Sequence, residues 1–201
     1  IPDAAQDAPR QLHPVTADLI TLVRRHSQWH TAWMALVLRG RAIGRGYAGG
    51  DKSVGSKLYD EAYDGTVGDE HADLMITLIP LIAPTKALAD QITAQEKAIE
   101  KRAKDHPLWP WALGVFGIGA LTFGKIIANA GDDIWDYRTV SGLWKRFGLA
   151  VIEGERQRMK PGEEGIKHAY SPRRRALMWN AGNSLIGAMG KLRPLADEDE
   201  I

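Results

Sequence analysis

The sequence predicts a mostly α-helical protein: a long antiparallel helical hairpin followed by a helical domain containing a helix-hairpin-helix. Three observations predict it. Apolar residues recur every three or four positions over two long stretches, which is the period of a helix face. A Gly-x-Gly pair stands directly before an amphipathic run of one helix length that ends in Gly131-Asp132. A Ser171-Pro172 pair opens a final apolar-periodic stretch, with Ser suited to the N-cap and Pro to the first helical position.

Taken in order, residues 1–14 are polar and hold three prolines, so they form a loose lead-in. The stripe Val15, Leu19, Leu22, His26, Trp29, Trp33, Leu36, Gly40, Ile43 then predicts a long helix that packs on a partner helix. Thr16 is placed to cap it and Asp18 to meet its dipole. Gly44, Gly46, Gly49 and Gly50 are expected to end it. The Gly-rich insert 44–68 should be a flexible crossing with one short helix near residues 57–63. Leu74, Leu78, Leu81, Leu88, Ile92, Ile99 and Ala103 continue the helical period, and Pro80 and Pro84 are expected to kink or split that helix. Thus 15–105 is the hairpin, with coiled-coil character.

His106-Pro107 marks the next boundary, and 106–190 is the second domain. After the hairpin motif, residues 137–147 predict a short helix with Leu143 and Phe147 inward. Residues 148–159 lack a helical period and suit a loop or small β-hairpin. The helix after Pro172 carries Arg173, Arg174 and Arg175 in its first turn, with Leu177, Met178 and Leu185 as its packing face. Cations there oppose the helix dipole, which points to contact rather than helix stability. Residues 191–201 are an acidic tail.

The segment 115–132 is the most informative. Gly117 and Gly119 let the chain turn tightly and approach another surface, since neither carries a Cβ. The helix that starts there offers unpaired amides and a positive dipole end, which hold a phosphate without reading a base. Two rival readings use the same residues. Gly119 to Lys125 spells G-x-x-x-x-G-K, but Ile126 stands where a P-loop needs a hydroxyl for Mg²⁺. The lead-in Trp109-Pro110-Trp111 is also a poor buried strand. The 18 residues 113–130 carry one charge, yet a membrane span needs about 20 mostly apolar residues. A packed helical hairpin that touches no nucleic acid is the plain alternative.

Composition narrows the classes. The chain has 201 residues, enough for a core without staples, and no Cys, which removes disulfides, thiolate metal sites and Cys nucleophiles. A cytoplasmic location is the expectation, and no membrane contact: the apolar run 75–83 is too short to span a bilayer. Net charge is only +1, but it is unevenly spread. Residues 138–175 hold ten Lys or Arg against four Glu, and 10–45 hold six Arg against one Asp. Residues 51–75 carry seven acids against two Lys. A protein so arranged binds a polyanion through one face. The expected contacts are the amides of Gly117, Gly119 and Leu121, with Lys125, Lys145, Arg146, Arg156, Arg158, Arg173, Arg174 and Arg175 extending the cationic footprint.

The order of motifs from Gly117-Ile118-Gly119 to Gly131-Asp132, through Trp144-Lys145-Arg146-Phe147-Gly148-Leu149, to Tyr170-Ser171-Pro172-Arg173-Arg174-Arg175-Ala176-Leu177 resembles one transposase group. It is similar to the C-terminal domain of the DEDD-type insertion-sequence transposases with a RuvC-like catalytic domain, the "one-ten" group. The resemblance covers roughly residues 107–188. It implies a helix-hairpin-helix fold, contact with DNA (double-stranded before single-stranded) and an origin in a mobile element or prophage. The family's acidic RuvC-like domain has no counterpart in these residues, and 148–158 contains no Ser where active members carry a nucleophile. The resemblance therefore implies binding without catalysis: no catalytic residue, metal or cofactor is expected. A protein–protein module is the alternative, with the 15–105 helices oligomerising and the C-terminal domain docking on a recombination or phage partner.

Other clusters are weaker. His26 and His30, four apart on one face, lack a third ligand. Asp69, Glu70, His71 and Asp73 suit a helix start better than a cation. Asp132, Asp133 and Asp136 likewise suit a helix start better than catalytic carboxylates that hold Mg²⁺. Core packing is the first account of the seven Trp, with base stacking by Trp109 or Trp135 the alternative.

Overall fold

The computed structural model describes residues 12–131, 137 and 139–198, with side chains as far as residue 190. Asp132, Asp133, Trp135 and Asp136 lie outside the described residues. The protein is mostly α-helical, as its periodicity requires. The order is α1 (Pro14–Tyr47), α2 (Lys52–Asp64), a 3-10 turn (Asp69–His71), α3 (Ala72–Lys104), α4 (Trp109–Ala112), α5 (Ala120–Ala130), α6 (Val140–Arg146), β1 (Val151–Ile152), β2 (Glu155–Arg156), α7 (Gly162–His168) and α8 (Pro172–Glu198).

The chain forms two units. One joins Ile1–Val23 to Ala98–Ile201, and the other is Arg24–Lys97. The division therefore cuts the two long helices at 23/24 and 97/98, not at the 105/106 junction that the His-Pro signal marks. The ends of both helices are built into the C-terminal unit because their apolar residues complete its core.

In unit Arg24–Lys97, Val37, Leu58, Tyr59, Ala62, Leu74, Leu78 and Ile82 make the core, one row from each of three helices. Each large aliphatic buried there contributes about 1.5–3 kcal/mol. Asp51 caps α2 by accepting from the amides of Ser53 (2.8 Å) and Val54 (3.0 Å). Gly65, left-handed at φ 77°, closes its other end. The short helix expected near residues 57–63 is therefore present and longer, spanning Lys52–Asp64. Gly44 and Gly46 do not end α1, which runs on to Tyr47. A Cβ at Gly44 would strike the Gly55 carbonyl oxygen, and one at Gly55 the backbone of Arg45. These glycines are where α1 and α2 touch, backbone to backbone.

Nor do Pro80 and Pro84 divide α3, which is assigned as one helix of 33 residues. Both prolines are exposed, while Leu78, Ile82 and Thr85 between and beside them are buried. Burial on one face holds the helix across two missing donors whose loss falls on the solvent side. Uninterrupted, the stretch Asp69–Lys104 is long and apolar enough to cross a membrane, with a window of mean hydropathy 1.4 of which 17% is buried. The apolar run 75–83 is too short to show this, because the helix continues well beyond it on both sides. The 3-10 turn leads directly into α3, so Asp69, Glu70 and Asp73 lie at a helix start.

In the other unit, Val15, Leu19, Val23, Ile99, Ala103, Ala112, Phe123 and Ile127 form the core. Asp18 pairs with Arg102 at 2.7 Å and Thr16 meets His106 at 3.2 Å, so the two helix ends run antiparallel. α5 lies close on both: a Cβ at Gly124 would stand 2.9 Å from Ile99 and 3.1 Å from Ala103 on α3, and 3.4 Å from Leu19 on α1. At 11 residues α5 is far short of a membrane span. α4, a single turn of four residues, precedes it, so no strand leads into the Gly119–Lys125 motif. β1 and β2 pair antiparallel as the short hairpin the 148–159 pattern allows, with Val151 opposite Arg156. α8 starts at Pro172, as Ser-Pro predicts, and stays helical to Glu198, into the stretch expected to be an acidic tail.

Candidate functional site

The glycine bend comes first. Gly117 has φ +92°, a left-handed conformation that favours glycine, and a Cβ there would lie 2.7 Å from the Ser184 carbonyl oxygen. The bend is pressed onto the α8 backbone, yet both Gly117 and Gly119 are exposed. Gly119 is the N-cap of α5, extended, with no side chain capping the helix. The first rung of the ladder is Phe123 N–H to Gly119 O at 2.9 Å, which leaves the preceding amides, Leu121 included, outside it. Among the described residues, however, the surroundings of the bend are apolar. A cavity of about 450 Å³ beside the bend is lined by Phe116, Gly117, Ser184, Gly187 and Ala188. Trp111, Leu113 and Phe116 are each more than 60% exposed. Lys125 is half-buried one turn into α5 and already has an interaction of its own.

The cations gather elsewhere, at the start of α8. A cavity of about 500 Å³ is lined by Gly142, Lys145, Arg146, Ala169, Tyr170, Ser171 and Arg174. From Arg174 to Ser184 along α8 is about 15 Å at 1.5 Å per residue, so bend and basic corner are separate places. Arg146 is positioned by α5: its Nε donates to the Asn129 carbonyl at 2.9 Å, and its guanidinium lies where a Cβ on Gly131 would fall. Gly131, at φ 84° and ψ −146°, is both the helix end and the seat of that arginine. Burial, and then the charge of Arg146, pull the Arg174 guanidinium below its usual range. Among the described residues no carboxylate pairs with Lys145, Arg146 or Arg174.

The neighbouring acids are already engaged. Glu153 pairs with Lys167, and Glu155 and Glu164 pair with Lys160 at 3.4 and 3.1 Å. The Lys167 hydrogen bond lowers the Glu153 carboxyl, and the Glu164 bond raises Lys160. Three of the four glutamates that dilute this basic segment are thus neutralised locally, and the arginines keep their charge.

Arg175 turns inward. Its guanidinium donates to the Gln157 carbonyl at 2.9 Å and stacks over Tyr170, 4.9 Å from the ring centre. It is a brace and not part of an open cationic face. Arg173 and Arg158 are exposed, and Arg156 lies on β2 at the rim of a second groove. Of the eleven expected contacts, then, the fold brings three cations together and leaves the bend amides apart from them.

Sequence reading misses what holds the corner. Gln157 is wholly buried. Its Nε2 faces the carbonyls of Lys145 (3.3 Å), His168 (3.2 Å) and Ala169 (3.1 Å), and its Oε1 accepts from Ala150 N–H at 3.3 Å. One glutamine ties together α6, the β-hairpin and the link from α7 to α8. Its position among loop residues carries no periodic signal.

The remaining candidates resolve into packing. His26 bonds Glu96 at 3.0 Å and stacks on His30, and no group of three potential metal ligands exists among the described residues. Trp109 packs on Phe123 at 5.5 Å between ring centres, as part of the core and not as a base-stacking platform.

Fold and site together define a helical protein of two units, one of which carries a localised basic corner with no carboxylate partner among the described residues. Comparison with known proteins finds no match to any family model, curated protein or solved structure.

Proposed function

We propose that this protein is a non-catalytic, weakly sequence-specific DNA-binding protein of a mobile element or prophage, gripping the phosphate backbone at the start of α8. The observation that carries this reading is the convergence of Lys145, Arg146 and Arg174 on one cavity without a carboxylate partner among the described residues. Like charges held together cost free energy unless an anion joins them. Phosphate contacts position a protein on DNA and carry little sequence information. The exposed amides at the start of α5 are a second, weaker point of contact, since no cation lines the cavity beside them among the described residues.

Fluorescence anisotropy with a mixed-sequence duplex at two salt concentrations tests the reading. Affinity should fall steeply with salt. Lys145→Gln with Arg174→Gln should flatten the log–log salt slope by about 1 to 2, because each phosphate contact contributes about 0.9. Salt-independent binding, or an unchanged slope in the double variant, rules the reading out.

One observation favours the second reading, an oligomerisation module. On unit Arg24–Lys97, Ile76, Ile79 and Leu38 are 70%, 56% and 58% exposed. If that face joins copies, Ile76→Ser with Ile79→Ser should lower the molar mass seen by light scattering. An equal mass for both proteins would remove this reading.

A further inference from the structure

Helix α8 is apolar on two opposite faces. One turns toward its own unit: Ala181 is buried, Leu177 and Ala188 are half-buried, and the Gly117 bend presses on the backbone of Ser184 and Leu185. On the other, Trp179, Ile186 and Met189 are 67%, 69% and 68% exposed. With Arg175 and Gly182 they follow the alternating four and three spacing of a helix that packs along a second helix. A helix apolar on both sides needs cover on both. The exposed side borders a groove of about 400 Å³, walled by Leu149, Met178, Trp179 and Ile186, with Arg156 and Arg175 also in its lining. Gly182 and Gly190 have nothing within 4 Å of a would-be Cβ. Glycine inside a helix costs about 0.5–1 kcal/mol relative to Ala, and packing within the unit accounts for neither one.

Spacing and charge fit one occupant, a second α8 running antiparallel. About a two-fold axis at Ile186, each position meets the one equally far on the other side. Ile186 then meets its own copy, and Gly182 meets Gly190, where two backbones without a Cβ can approach closely. Trp179 falls opposite Arg193 and Arg175 opposite Asp197, both favourable pairings by residue type. The helix runs from Arg173-Arg174-Arg175 to Asp197-Glu198, so an antiparallel copy brings acid to base at both ends. A parallel copy would set like charge against like. The Arg175 contacts with the Gln157 carbonyl and the Tyr170 ring leave its charge uncancelled.

We propose that α8 pairs with the α8 of a second copy, antiparallel about Ile186, and that the pair holds two basic corners one duplex turn apart. Arg174 lies about 120° around the helix from Ile186, off the seam, so pairing leaves the Lys145, Arg146 and Arg174 cavity open. The two-fold axis keeps both cavities on one side of the pair. Arg174 is 12 residues from Ile186 in each copy, which separates the two arginines by about 36 Å at 1.5 Å per residue. Half-sites one turn apart on a duplex are about 34–36 Å apart. The spacing rests on the backbone-binding reading; the pairing does not.

The chain has no Cys, so Ile186→Cys introduces its one thiol. Oxidation with copper phenanthroline should convert most of that variant to a disulfide-linked dimer. Asn180→Cys, exposed but about 120° off the seam, should give several-fold less. By light scattering the parent should have twice the 22.1 kDa of one chain, and Ile186→Glu the mass of one chain, with circular dichroism showing both folded. Ile186→Glu should also weaken binding to a duplex of about 30 bp by about 10-fold or more, as two linked contacts become one. A duplex of about 8 bp, too short for both corners, should bind parent and variant within about 2-fold. A parent of single-chain mass, or equal cross-linking at the two positions, overturns the pairing. So does a dimer that Ile76→Ser with Ile79→Ser dissociates and Ile186→Glu does not. If pairing holds but the long duplex binds Ile186→Glu as it binds the parent, the one-turn spacing is refuted. If neither duplex binds the parent, the backbone-binding reading falls, the spacing with it, and the pairing stands.

Discussion

Gln157→Leu should lower the thermal midpoint by about 10 °C or more, the largest effect expected of any single side-chain replacement in the C-terminal unit. Leucine nearly conserves volume, so the loss is one of hydrogen bonding and not of packing. The Ala150 amide and the carbonyls of Lys145, His168 and Ala169 lose a buried partner together. An unsatisfied buried group costs about 1–3 kcal/mol, and the set should cost about 3–5 kcal/mol after the gain from burying an apolar chain. That is a large share of the roughly 5–15 kcal/mol that holds a domain together. Gln157→Glu should be at least as damaging. A carboxylate would turn an oxygen toward three carbonyl oxygens at a wholly buried position. Circular dichroism melts of the two variants check this, and a midpoint within about 2 °C of the parent would show that the buried amide is dispensable.

Gly44→Leu should disrupt the Arg24–Lys97 unit, and even Gly44→Ala should destabilise it. In an exposed helix interior, Gly to Ala gains up to about 1 kcal/mol. The sign reverses at Gly44 because the new Cβ meets the Gly55 carbonyl oxygen. Overpacking usually costs about 1–3 kcal/mol when side chains can yield, and here the obstacle is a main chain that cannot change rotamer. Gly46 supplies the control two residues on in the same helix, with nothing within 4 Å of its would-be Cβ. Gly46→Ala should be neutral or stabilising by a few tenths of a kcal/mol. Denaturant titration of the two alanine variants should therefore move the midpoint in opposite directions. Equal shifts would show that helix propensity, not the contact with α2, governs both positions.

Much of the fold was legible because it rests on local periodicity. The stripe from Val15 to Ile43 is buried or half-buried at every one of its positions. The Ser-Pro start of α8 and the short β-hairpin were likewise readable from a few adjacent residues. The errors share a cause. Gly44, Pro80 and Pro84 look like helix breakers in isolation, yet α1 and α3 run through them, since a close neighbour or a buried face outweighs local propensity.

The site divides along the same line. The residues alone determined that a basic segment exists, that a glycine bend opens a helix, and that no thiol chemistry is available. Only the tertiary structure decided which charges stand together. It turned Arg175 inward, seated Arg146 on the end of α5, left Lys145 and Arg174 beside it around a cavity, and set the glycine bend in apolar company. Periodicity reports which face of a helix is apolar, through interactions a few residues apart. The meeting of charges from α6 and α8 depends on how the chain folds back, which is held by a buried amide that no local pattern announces.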